Sequence, residues 1–134
     1  MNTIDRQCEK FMGGPTVAFS ERVHVTIDKT GKIFLNAKAH RMMGRPQAVY
    51  LYFNRQKDTI ILEPTQAGNA AAAFSLKDAT FNARIIWANP FCKHFGIKVD
   101  GTQRFVSPET NAAGVMFLKL SEMVKVGDGR SRSR

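Results

Sequence analysis

A chain of 134 residues, 43% hydrophobic and 23% charged, has the composition of one globular domain or of two small, intimately packed halves, and no apolar run approaches the roughly 18 residues of a membrane-spanning helix. Twenty Lys and Arg against 11 Asp and Glu give a net charge of +9, a field that attracts polyanions, with nucleic acid the first of them. The opening MNTIDRQCEKFMGGP mixes charges and lacks the apolar stretch of a signal peptide, and two cysteines, Cys8 and Cys92, suit a reducing cytoplasm better than a disulfide scaffold.

Residues 1–20 carry two basic and two acidic groups and read as a neutral N-terminal extension. VHVTI (23–27) alternates apolar and polar residues and predicts a strand. DKTG (28–31) is a turn, with Asp first and Gly last, and KIFL (32–35) resumes the strand. Asn36 is placed to cap a short helix over AKAHRMM (37–43). Gly44 can end that helix in the left-handed conformation, and Pro46 prevents its resumption. AVYLYFN (48–54), a polar turn RQKD (55–58) and TIILEP (59–64) complete a β-β-α-β-β unit over residues 21–65. Within it, residues 28–57 hold seven basic side chains against Asp28 alone.

QAGNAAAA interrupts this order, and residues 66–74 read as a linker or a short Ala-rich helical turn. Beyond it GKIFLNAKAHRMMG (31–44) aligns with ARIIWANPFCKHFG (83–96) at an offset of 52. Asn89 and Pro90 then read as cap and first residue of a second helix. TQRFVS (102–107) and GVMFLKL (114–120) stand where the first unit has its closing hairpin, with SPETNAA (107–113) as the turn between them. The alignment predicts an internal duplication, with a divergent second half over residues 75–125. A unit of this size cannot bury both faces of its own hairpins, so two copies are expected to complete one barrel-like core. GDGRSRSR closes a flexible basic tail, 126–134.

The stretch VTIDKTGKIFLNAKAHRMMG resembles the AbrB/MazE/MraZ superfamily of swapped-hairpin, looped-hinge DNA-binding domains. Asp28 and Gly31 keep the family's turn, Lys32 stands for its Arg, Ile33-Phe34-Leu35 for its apolar run, His40-Arg41 for its paired Arg and Met43-Gly44 for its Leu-Gly. Asn36 replaces the family's proline, and FNAR (81–84) replaces the turn motif in the second half. Two tandem copies are similar to the MraZ arrangement. The resemblance implies a mostly β fold with short helices (α+β): a swapped-hairpin AbrB-like barrel of two pseudo-symmetric β-β-α-β-β halves. It also implies a DNA-binding protein, of prokaryotic or phage transcription-regulator type, with double-stranded DNA as partner and a homo-oligomer as a possible assembly; the lack of a long apolar run implies no membrane partner. The contact set it implies is Lys29, Lys32, Lys38 and Arg41, with His40 beside them. Arg22, His24 and Arg45 join on charge alone. Lys32 is a point charge without the bidentate fork of Arg, so phosphate contact with modest sequence discrimination is expected.

The alternative is a non-enzymatic assembly or interaction module, antitoxin-like, that uses the same barrel without DNA. An enzyme is not expected: no Ser-His-Asp signature, Walker motif or dinucleotide fingerprint occurs, and no cofactor, catalytic residue or metal site is assigned. Cys92 and His94 are two apart on a predicted helix and so face different ways, and His24, His40 and His94 are not at metal spacing. Phe91 and Phe95, four apart, read as core with Trp87 beside them; stacking on single strands is the lesser reading.

Overall fold

The structure, a computed structural model, describes residues 3–10, 22–66 and 70–126. The tail beyond Val126 and most of the N-terminal extension lie outside the described residues. The described chain is mostly β, with two short α-helices and a 3-10 turn at Thr80–Asn82. In order it forms β1 (Val25–Ile27), β2 (Lys32–Leu35), α1 (Ala37–Met42), β3 (Ala48–Asn54) and β4 (Thr59–Thr65). There follow β5 (Phe74–Ser75), β6 (Lys77–Asp78), β7 (Arg84–Trp87), α2 (Asn89–Phe95), β8 (Gln103–Phe105), β9 (Glu109–Thr110), β10 (Met116–Lys119) and β11 (Met123–Lys125). The strands make two antiparallel sheets, ordered β11-β8-β1-β2-β7-β6 and β5-β3-β4-β10-β9.

Local chemistry accounts for the first half. The Asp28 carboxylate accepts from the Thr30 N–H, the Thr30 hydroxyl and the Lys32 N–H, while Gly31 donates to the Asp28 carbonyl. Gly31 sits at φ +83°, and a Cβ there would stand 2.8 Å from the Asn89 Cα, so the turn needs glycine for both conformation and space. Asn36 caps α1 by accepting from the Ala39 N–H at 3.0 Å. The same buried side chain accepts from the His24 N–H and donates to the Arg22 carbonyl, tying the helix start to the strand beside it. At the other end Gly44, at φ +85°, releases the chain from the helix.

The halves interleave. The β1–β2 hairpin lies between β7 and β8, both drawn from beyond residue 75, and β10 pairs with β4 over four residues. Strands also pass between the sheets at both margins. β5 and β6 are one run that bends at the buried Leu76. On the other side β8 pairs with β11 in the first sheet, and β9 with β10 in the second. They form one long hairpin that turns the corner: three residues separate Phe105 from Glu109, but five separate their partners Phe117 and Met123. Two extra residues on the outer strand supply the bend, as in other sheet pairs whose strands switch layers. The core lies between the sheets, around Ile27, Ile33, Leu35, Ile60, Leu62, Ile86, Phe105, Met116 and Leu118.

Three sequence expectations are corrected here. TQRFVS and GVMFLKL do not pair with each other, because the corner sends them into different sheets. The cap of α2 is Ala88 rather than Asn89, since the Cys92 N–H closes the first turn on the Ala88 carbonyl; the Asn89 side chain donates instead to the Thr30 carbonyl. Trp87 is not core. Ile33 and Ile86 are the cross-strand pair that points inward, so Lys32 and Trp87 fall together on the outer face, with Trp87 55% exposed. An offset of 52 sets the exposed Trp87 against the buried Leu35; matching inward faces in the paired strands requires an odd offset, as in setting Ile33 on Ile86.

Candidate nucleic-acid interface

Cations converge where the helix of each half meets the turn of the other. The first such place is a cavity of about 240 Å³ lined by Ala37, His40 and Arg41 of α1, by Arg45, and by Asn82 and Arg84. Arg41 lies in the last turn of α1 and is exposed. Gly44 and Arg45 are consecutive left-handed residues, with φ +85° and +53°, and this double turn brings Arg45 back to the helix it follows. The Arg45 N–H donates to the His40 carbonyl at 3.0 Å. The His40 ring, buried at 5% exposure, donates from Nε2 to the Pro46 carbonyl at 2.9 Å. Burial lowers the His40 pKa against the upward pull of the Pro46 carbonyl, and Arg84 and Arg45 lower it further. His40 is thus a clamp on the turn: its ring holds the Pro46 carbonyl, and its own backbone carbonyl holds the Arg45 N–H.

Arg84 is braced differently. Its Nη1 donates to the Asn82 and Ala83 carbonyls, and its Nε stands 3.4 Å from Asp78. No described carboxylate pairs with Arg41 or Arg45. The cavity therefore presents two uncompensated guanidinium groups beside a third that is partly neutralised.

The second place, about 460 Å³, lies between the Asp28–Gly31 turn and α2. Lys29, Lys93 and Lys98 bring three positive charges to it. Its one carboxylate, Asp28, is spent within the turn: burial raises its pKa, but bonds from Thr30 and Lys32 outweigh that and hold it below the ordinary value. Cys92 also lines this cavity, and burial together with Asp28 pushes its thiol pKa up, the opposite of an activated nucleophile.

The eight residues singled out in the sequence do not form one patch. His40, Arg41 and Arg45 meet in the first cavity, and Lys29 lines the second. Lys32 lies on the outer face of the six-stranded sheet, 4.0 Å from Asp28 and with its Nζ 4.9 Å from the Trp87 ring centroid. His24 is on that face too, edge-on to Phe34 at 6.0 Å, and its pKa is lowered by burial and by Arg104 and Arg22. Lys38 is half-buried on α1, and Arg22 is exposed just before β1. Arg84, Lys93 and Lys98 were missed. A signal existed for Arg84, which opens its strand as Lys32 opens β2; nothing in local sequence brings Lys98 toward the Asp28 turn.

Phosphate oxygens suit such surfaces: guanidinium forks and ammonium groups supply charge-assisted bonds, and partial enclosure limits screening. Among the described residues no group of three or more His, Cys, Asp or Glu could hold a metal ion, and no helix is long and apolar enough to cross a membrane. No protein-family model, curated protein or solved structure matches this chain.

Proposed function

We propose that this chain is a DNA-binding protein of prokaryotic or phage transcription-regulator type, built on the AbrB/MazE/MraZ swapped-hairpin plan, and that its two cation-lined cavities seat the phosphate backbone of a duplex. The observation that carries the reading is the pairing of helix with opposite turn. In both places three cations gather, and in neither does a described carboxylate neutralise the set. Of the residues expected from sequence, Arg41, Arg45 and Lys29 are contacts, Lys38, Arg22 and Lys32 are peripheral, and His40 positions Arg45. The lysine side chains and the brace on Arg84 favour backbone contact over base reading.

Binding of a fluorescent mixed-sequence duplex at low salt tests this. Arg41→Ala and Lys93→Ala each weaken binding several-fold, while Arg104→Ala, on the outer sheet face opposite Thr26, weakens it less. The competing reading is an interaction module that meets a protein through the exposed Trp87 and Val124 of that sheet face. Loss of binding with Arg104→Ala and none with Arg41→Ala would move the interface to that face; no duplex binding by the wild-type protein would favour the module.

A further inference from the structure

Phe81 is 94% exposed, the most exposed large apolar side chain among the described residues, and it stands on backbone that a bulky residue rarely adopts, at φ +58° and ψ +35°. Asn82 follows at φ +61°. Two consecutive left-handed residues without glycine persist only where the surroundings hold them. Here the holding groups are visible. The Ala79 N–H donates to the Ala83 carbonyl at 2.9 Å, and the Ala83 N–H to the Thr80 carbonyl at 3.2 Å. The Arg84 guanidinium closes the loop from beneath by gripping the Asn82 and Ala83 carbonyls while leaning on Asp78. Nothing in this bracing uses the phenyl ring.

Position gives the ring its meaning. Asn82 and Arg84, the residues just after it, line the cavity that also holds Arg41 and Arg45. The other half's turn packs on the other helix, and its tip carries Lys29 and no aromatic. The two turns therefore present different chemistry beside the same kind of cationic cavity: a charge on one side, an apolar projection on the other. We infer that Phe81 is a wedge that enters between stacked base pairs of a bound duplex, so that this protein kinks DNA at its second half and only tracks the backbone at its first. Apolar side chains inserted between base steps unstack them and bend the duplex, and cations beside the insertion point hold the phosphates as the backbone deforms. A turn already braced by these bonds suits that task, because less ordering is left to occur on binding. The inference rests on the duplex-binding reading above and adds to it a deformation and the residue that causes it.

The test is energy transfer between dyes at the two ends of a duplex of about 25 base pairs, a length over which a local kink stands out against DNA stiffness. Flexible pyrimidine–purine steps are placed at its centre, with 2-aminopurine as an unstacking reporter. With wild-type protein at saturation, the ends approach and 2-aminopurine brightens. Phe81→Ala weakens affinity several-fold and abolishes both signals. Phe81→Leu, another side chain that can wedge, keeps both. Phe81→Lys, which gives this turn the chemistry of the other, keeps affinity within a few-fold and loses both signals. Circular dichroism of each variant matches wild type, since the ring packs on nothing. Binding by wild type without bending or brightening overturns the wedge and leaves the duplex reading standing. Bending that survives Phe81→Ala also overturns it. Absence of duplex binding by wild type removes both.

Discussion

Asn36 does more than cap a helix. One buried amide accepts from Ala39 and His24 and donates to Arg22, so it couples α1 to the chain entering β1. Losing the cap alone costs about 1 kcal/mol, and stranding the buried partners adds more, so Asn36→Ala should destabilise by roughly 2–3 kcal/mol, read as a lower urea midpoint. Asn36→Asp keeps the acceptor for the Ala39 and His24 N–H groups but sets a carboxylate oxygen against the Arg22 carbonyl, so it should not restore full stability. Two imidazoles, His24 half-buried and His40 buried, set a pH dependence. Burial, the leading cause for both, holds His24 and His40 below 6.5, so in the folded protein these two rings bind protons less readily than in the unfolded chain as pH falls. Their contribution is present above that value and is lost as pH falls toward their lowered pKa values. Asp28, held below 3.8, adds a further loss at still lower pH. The urea midpoint should thus fall between about pH 7.5 and 5.5, and His40→Gln should remove part of that fall. A midpoint that rises on acidification over this range would contradict the clamp assigned to His40.

Elements with strong local patterning were legible in the sequence, and those defined by pairing alone were not. KIFL and AVYLYFN coincide with β2 and β3, and the Asn36 cap and Gly44 stop fall where side-chain chemistry demands them. β5, β6 and β9 are two residues each, too short to carry any period. The face of β7 was also hidden, because Arg-Ile-Ile-Trp offers two adjacent isoleucines and only the pairing with β2 decides which one points inward. The cationic cavities shared that difficulty: each joins a helix to a turn about forty or about sixty residues away in sequence, so counting charge along the chain found Arg41 and Arg45 but not their company. The face assignment is testable. Ile86→Ala should cost roughly 3 kcal/mol as a core truncation, whereas Trp87→Ala should cost less than about 1 kcal/mol, chiefly its contact with Lys32. Gly31→Ala should cost about 2–4 kcal/mol, from a left-handed backbone and a Cβ driven against α2. Equal losses at positions 86 and 87 would mean that the strand lies the other way up.

At the scale of the molecule, the interleaving decides what can exist alone. A fragment of residues 1–66 keeps β1 to β4 but loses β7, β8 and β10, the strands that flank β1–β2 and extend β4. It should be unfolded as a monomer or should dimerise to replace them; a monomeric fragment with a cooperative unfolding transition would show that the halves are independent. The same interleaving builds the proposed interface, since each cavity takes its helix from one half and its turn from the other. The most direct test of that interface is the salt dependence of duplex binding. Each neutralised phosphate should contribute about 0.9 to the log–log slope on duplex DNA, so contacts from Arg41, Arg45, Lys29, Lys93 and Lys98 predict a slope near 4–5. A double variant, Arg41→Ala with Arg45→Gln, should lower that slope by about 2 while leaving the fold intact. A double variant with an unchanged slope, or a wild-type protein whose binding ignores salt, would contradict the account.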